Sequence, residues 1–226
     1  MRKGLTELVF ILDRSGSMSG LEADTIGGFN SLIAKQKKEE GTALISTVLF
    51  DDQAEVLYDR ISLDRIEPMN DRQYYVRGCT ALLDALGGAI HHIGNVHKYA
   101  REEDRPEKTI FIITTDGMEN SSHRYTYDKV KKMVESQRDR YGWEFLFLGA
   151  NIDAIEIAGR FGVQANRAVN YECDSEGIQL NYEVLSKAVS RVRTCAAPTA
   201  AMAFDECDDW AEEIRADYSK RHRGRR

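Results

Sequence analysis

The run of residues 109–115 consists of apolar and β-branched residues, and the pair Asp116-Gly117 follows it directly. Strands of this kind are buried on both faces, as in the centre of a parallel sheet that helices cover. Residues 8–12 form another apolar run, which ends at Asp13 and belongs to a strand pattern over residues 7–12. These two runs predict buried strands, each with an acidic residue at its end.

Strand and helix patterns alternate along the chain. The strand patterns lie at residues 7–12, 43–50, 55–61, 109–115, 144–148 and 168–171. Apolar residues recur at helical spacing near residues 21–33, 81–93, 130–141, 155–161 and 178–192. One short polar link predicts a hairpin, and the alternation is typical of a Rossmann-like, doubly wound α/β sheet with helices on both faces. It stops near Thr194, which divides the chain into a domain at residues 1–194 and an extension at residues 195–226.

The extension at residues 195–226 is helical and charged. Residues 205–217 are rich in acids around Trp210, and we expect a final surface helix with Trp210 and Ile214 docked on the body. Residues 220–226 are strongly basic, and we expect them to form a frayed, solvated terminus.

Composition narrows the class of protein. The hydrophobic share of 42% and the charged share of 30% are typical of a globular protein, and the net charge of −6 argues against nucleic-acid binding. The apolar run at residues 8–12 is too short for a signal peptide or a membrane span, so we expect a cytoplasmic location and no membrane contact. The cysteines fit no CxxC pair and no zinc pattern, so we expect reduced thiols in a reducing compartment; they are Cys79, Cys173, Cys195 and Cys207.

The segment from Asp13 to Ser17 begins where the first strand pattern ends. Ligand sites of open α/β sheets form at the carboxyl ends of strands, so Asp13 lies where a site is expected. Ser15 and Ser17 follow at alternate positions, and Gly16 permits the tight backbone path that would aim both hydroxyls at one point. If the two central strands are neighbours, Asp116 converges on the same point.

Two carboxylates that face one point repel each other unless a positive charge lies between them. Oxygen ligands with two acids favour a hard divalent cation, with Mg²⁺ the natural candidate and Mn²⁺ close behind. Asp13, Ser15, Ser17 and Asp116 are therefore candidate metal ligands.

Other polar residues leave alternatives open. Thr80 precedes a helix pattern, so its hydroxyl could cap that helix or bind the metal. Asp51 and Asp52 resemble hairpin turn residues, and we do not assign them to a site. Glu119 and Asn120 line the rim of the site or belong to a polar loop. No two histidines have the i, i+4 spacing of a helical metal site.

The segment from Asp13 to Ser17 matches the DxSxS motif of von Willebrand factor A domains, and Thr80 and Asp116 lie where that family places its threonine and second aspartate. Together the five residues resemble a metal-ion-dependent adhesion site, or MIDAS. The resemblance covers roughly residues 5–194. Within the family, the chain resembles the intracellular bacterial members. It implies a six-stranded, mostly parallel sheet with one antiparallel edge strand.

The family resemblance also implies a function: such a domain binds a partner protein whose acidic side chain completes the coordination of the metal. The expected function is therefore protein binding and not catalysis. Ser15 occupies the position where an aspartyl phosphatase needs a second Asp, Met18 occupies the nucleophile position of a hydrolase elbow, and the chain has no phosphate-binding glycine loop. A metal-dependent phosphoryl or ester hydrolase remains the alternative; it needs a base or a second metal.

Overall fold

A computed structural model describes residues 1–206 and 209–223. The six strands are β1 (Arg2–Asp13), β2 (Thr42–Phe50), β3 (Ala54–Ser62), β4 (Pro106–Thr115), β5 (Glu144–Gly149) and β6 (Ala168–Asn170). The α-helices are α1 (Glu22–Gln36), α2 (Leu82–Tyr99), α3 (Tyr127–Tyr141), α4 (Ala154–Arg160), α5 (Ser175–Thr194), α6 (Ala200–Asp205) and α7 (Glu212–Arg223).

The strands form a single six-stranded sheet in the order β3-β2-β1-β4-β5-β6. Every neighbouring pair is parallel except β2 and β3, which form the predicted hairpin and place an antiparallel strand at one edge. This confirms the predicted doubly wound α/β fold. The order of the strands reverses between β1 and β4, which are direct neighbours, and such a switch point is where these folds bind ligands.

The central strands bury both of their faces, as their uninterrupted apolar runs predict. On β1, Phe10 contributes to the core under α1, α5, α6 and α7, whereas Ile11 contributes to the core under α2, α3 and α4. On β4, Ile112 and Phe111 divide in the same way. Each such side chain contributes about 1.5–3 kcal/mol to the stability of the fold through the apolar surface that it removes from water. The buried core therefore fixes the positions of the ends of β1 and β4.

The C-terminal extension packs on this sheet. Ile214 is buried in the core under α1, α5, α6 and α7. The Trp210 indole Nε1 donates a hydrogen bond of 2.9 Å to the carbonyl of Asn166. These two contacts confirm the predicted docking. The predicted fraying of residues 220–223 is wrong, because α7 extends to Arg223. Arg221 forms ion pairs with acids near the start of α5, which hold this turn on the body. Residues 224–226, and the thiol expected at Cys207, lie outside the described residues.

Two further expectations concern the membrane and the thiols. Of the helices within the described part of the chain, none combines the length and the apolar character needed to cross a membrane. Cys79, Cys173 and Cys195 are free thiols.

Two neighbouring glycines of α1 provide a test of the packing. A Cβ at Gly28 would lie 2.2 Å from Cδ2 of the buried Tyr182 ring in α5, whereas a Cβ at Gly27 would meet no atom within 4 Å. We expect Gly28→Ala to lower the free energy of unfolding by about 1–3 kcal/mol through overpacking. Gly27→Ala is the matched control and should raise it by roughly 0.5–1 kcal/mol. Urea unfolding measures both, and equal effects of the two variants would contradict the described packing.

Candidate metal site

Asp13 is the last residue of β1, and its carboxylate is fixed by two hydrogen bonds. The Ser15 amide donates to Oδ1 at 2.7 Å, and the Thr115 hydroxyl donates to Oδ2 at 2.5 Å. The Tyr74 hydroxyl donates to the main-chain carbonyl of Asp13 at 2.5 Å. These contacts hold the acid at the carboxyl end of the sheet in one orientation.

The two predicted serines connect Asp13 to the second predicted acid. The hydroxyls of Ser15 and Ser17 lie 3.2 Å apart, and the Ser17 hydroxyl donates to Oδ1 of Asp116 at 2.5 Å. Asp116 follows β4 immediately, so the adjacency of β1 and β4 brings the two acids to the same point of the sheet edge. The structure thus brings together the residues that were predicted from their positions at the ends of two strands.

Thr80 faces the same place. A Cβ on Gly117 would lie 3.5 Å from both the Ser17 and the Thr80 hydroxyl oxygens, so these two hydroxyls flank that glycine. The helix-cap alternative for Thr80 is wrong. The residue before α2 is Ala81, and the Leu83 amide donates instead to the Glu119 carboxylate at 2.8 Å. The Thr80 hydroxyl is therefore left for another ligand.

Asn120 and Glu119 position Thr80 and its helix. The Asn120 amide donates to the Thr80 carbonyl, and the Thr80 amide donates to the Asn120 side-chain oxygen, both at 3.0 Å. This reciprocal pair fixes the backbone of Thr80 from both sides. Neither residue is merely part of a polar loop, because each bonds directly to the Thr80 segment.

The site holds two buried acids, and no cationic side chain of residues 1–206 or 209–223 forms an ion pair with either of them. Asp13 and Asp116 are each only 2% exposed. Burial raises the pKa of Asp13 to about 6, and burial also raises the pKa of Asp116. The donors are carboxylate and hydroxyl oxygens only, a set that fits a hard divalent cation. In the described part of the chain, no three or more His, Cys, Asp or Glu side chains cluster as a metal site, so a metal here depends on the hydroxyls of Ser15, Ser17 and Thr80.

Two residues that were not predicted from the sequence hold Asp116 in place. The Cys173 thiol lies 3.6 Å from Oδ2 of Asp116, and the Asn151 side-chain amide donates to the main-chain carbonyl of Asp116 at 3.3 Å. Burial raises the pKa of the Cys173 thiol to about 12, so it stays protonated and acts as a donor. The signal for both residues was their position, since Asn151 follows β5 and Cys173 follows β6 at the same edge of the sheet.

The interpretation of Asp51 as a turn residue alone is incomplete. Its carboxylate is fully buried, and Oδ2 accepts hydrogen bonds from Nε of Arg14 at 2.8 Å and from Nε of Arg77 at 2.7 Å. Arg14 stands between two predicted ligands in the chain, yet it points away from them into this network. Its guanidinium also donates to Glu55 at 2.8 Å.

The Asp51 network joins three loops. The Arg77 amide donates to the Arg14 carbonyl at 2.9 Å, and the Ala81 amide donates to the Asp51 carbonyl at 2.7 Å. The Tyr75 ring lies over both guanidinium groups, at 5.2 and 5.5 Å from its centroid. The loop that carries Thr80 is therefore tied to the loop that carries the serines.

The fold and this site together define an α/β domain with an oxygen-lined candidate cation site at the switch point of its sheet. No protein-family model and no curated protein matches the sequence. Solved structures with the same fold include proximal thread matrix protein 1 of the mussel byssus (16% identity, TM-score 0.55, 83% of this chain and 46% of that chain). They also include a von Willebrand factor type A protein from Catenulispora acidiphila (14%, 0.53, 82% and 42%) and the manganese-loaded TRAP protein of Plasmodium vivax (15%, 0.54, 80% and 73%).

The chain has the fold of a von Willebrand factor A-type domain, as the sequence resemblance implied. It spans less than half the length of the mussel and Catenulispora proteins. One structure of the mussel protein is described with a zinc-occupied MIDAS motif.

Metal binding at this site should depend on pH. A metal ion needs the ionised carboxylate of Asp13, whose pKa in the metal-free protein is about 6. Protons therefore compete with the metal below that pH and not above it. We expect the Mn²⁺ affinity to be constant above about pH 7 and to fall roughly tenfold by about pH 5, the loss that one proton with this pKa causes. Calorimetric titrations across this range measure it, and an affinity independent of pH would contradict the role of Asp13.

The Asp51 network can be tested through Thr80. We expect Asp51→Asn to weaken Mn²⁺ binding by about 10–100-fold, the usual effect of losing a residue that orients metal ligands. In the Thr80→Val background the same change should have little further effect, because Asp51 acts by placing that hydroxyl.

The matched control breaks a buried ion pair elsewhere. Glu144 pairs with Arg167 at 2.9 Å at the other end of the sheet. Glu144→Gln should destabilise the fold much as Asp51→Asn does, by about 3–5 kcal/mol, and leave Mn²⁺ affinity unchanged. Equal losses of affinity in both variants would show that Asp51 acts only through overall stability. Additive losses with Thr80→Val would show that Asp51 does not act through Thr80.

Proposed function

We propose that this chain is a metal-dependent protein-binding module in which a bound Mg²⁺ or Mn²⁺ joins it to an acidic side chain of a partner protein. The observation that carries the proposal is the convergence of two buried acids and three hydroxyls at the carboxyl ends of β1 and β4. Similar folds described with zinc or manganese support a divalent metal at this position. The ligands would be Asp13, Ser15, Ser17, Thr80 and Asp116.

Charge and coordination number argue for an acidic partner. Asp13 and Asp116 supply two negative charges, and the three hydroxyls supply none. Mg²⁺ prefers six oxygen ligands and releases water reluctantly, so five protein ligands leave a coordination position that faces solvent. A carboxylate there forms a charged bond in a partly desolvated interface, which is stronger than a bond to a neutral group.

Binding is a better proposal than hydrolysis of phosphate or ester substrates. Hydrolysis needs a base or an activated nucleophile, and both acids are already engaged by hydrogen bonds and by the proposed metal. The thiol beside the site, Cys173, is a poor nucleophile because its raised pKa of about 12 keeps it protonated. His97 is bonded to Glu7, which lies six residues before Asp13 on β1. The free thiols support a reducing compartment such as the cytoplasm.

The test is metal-dependent capture followed by mutation of the partner. The protein is immobilised in Mg²⁺ and washed with cell extract, and bound proteins are eluted with chelator and identified. We expect the purified complex to dissociate in chelator and to be lost on Asp116→Ala. Alanine at one exposed Asp or Glu of the partner should abolish binding, whereas alanine at its neighbours should not.

Two outcomes would overturn the proposal. One is a complex that keeps full affinity both in chelator and with Asp116→Ala. The other is metal-dependent turnover of generic phosphate or ester substrates that Asp13→Ala removes, which would establish the hydrolase instead.

A further inference from the structure

A cleft of about 540 Å³ lies between α2 and α3, near the amino-terminal ends of β4 and β5 and thus at the opposite end of the sheet from the metal site. We call it the α2–α3 cleft. Its volume falls in the range of small-molecule sites, which combine an apolar lining with a few polar groups. The side chains that line the cleft include Ile90, Met133, Trp143, His97, Lys98 and Arg105.

The aromatic floor of the α2–α3 cleft is held rigidly. The Trp143 ring stacks on the buried Phe111 ring at 5.4 Å with an interplanar angle of 17°. The His97 ring meets Trp143 edge-on at 5.2 Å, and its Nε2 lies 2.5 Å from the carboxylate of the buried Glu7. Arg60 donates to the same carboxylate at 2.6 Å. A floor fixed in this way loses little conformational freedom when a ligand binds.

The rim of the cleft carries two cations that have no acidic partner in the described part of the chain. Arg105 donates through Nε to the Ala100 carbonyl at 3.1 Å, which leaves its two terminal NH₂ groups for a ligand. Lys98 lies over the Tyr99 ring at 5.3 Å. Glu102 also lines the cleft, but its side chain is 85% exposed and points to the Met1 amino group.

We propose that the α2–α3 cleft is a second ligand site, for a small organic anion that carries an aromatic ring. The ring packs against Ile90, Met133 and Trp143, and the anionic group pairs with Lys98 and Arg105. The apolar floor excludes inorganic phosphate as the preferred ligand, and the two cations favour an acid over a neutral aromatic molecule. This site is independent of the metal-dependent function, because none of its residues belongs to the metal site.

The probe is 2-naphthoate, with neutral 2-naphthylmethanol as its charge control. The chain has 2 tryptophans, so a ¹⁵N spectrum shows two indole signals, and Trp210→Phe assigns the signal of Trp143. We expect 2-naphthoate to shift the Trp143 signal saturably at millimolar concentration or below. The neutral analogue should bind at least fivefold more weakly, and the double variant Lys98→Gln, Arg105→Gln should remove that difference.

A pair of glycine variants separates the cleft from the fold. Gly94 lines the cleft, and Gly94→Leu should fill it and weaken 2-naphthoate binding more than tenfold. Gly88→Leu, on the same helix and outside the cleft, should bind the probe normally, and both variants should keep the wild-type circular dichroism spectrum. The proposal is overturned if the Trp143 signal shows no saturable shift, if Gly94→Leu binds like the wild type, or if the neutral analogue binds equally well.

Discussion

The parallel pairing of β1 and β4 places two acids at one point. The register sets Leu12 opposite Thr114, so Asp13 ends β1 within one residue of the level at which Asp116 follows β4. Helices cover both faces of these strands, which removes the carboxylates from water and raises the pKa of each. Two carboxylates held close together favour the binding of a cation between them. The neighbouring hydroxyls supply the further oxygen ligands that a small divalent ion needs.

The loops around the acids are stabilised by interactions outside the candidate ligand set. The Asp51 carboxylate accepts hydrogen bonds from two guanidinium groups. Its main-chain carbonyl accepts a hydrogen bond from the Ala81 amide, next to Thr80. Cys173 and Asn151 hold Asp116 from the other side. These contacts hold the loops that carry the candidate ligands in one arrangement.

Much of this structure follows from local sequence patterns. The apolar runs before Asp13 and Asp116 predict the central strands, and their ends predict the acids. The Asp51 network could not be predicted, because Arg14 and Arg77 lie 37 and 26 residues from Asp51 and ordinary turn chemistry explains Asp51 locally. Its position directly after β2 was the missed signal, since residues that follow parallel strands share one edge of the sheet.

A crystal structure of the protein with Mn²⁺, measured at the manganese absorption edge, would locate the bound metal. We expect one anomalous peak between the Asp13 and Asp116 carboxylates, with the hydroxyls of Ser15, Ser17 and Thr80 around it and a coordination position open to solvent. A peak elsewhere, or no peak at a concentration that saturates binding in solution, would contradict this expectation.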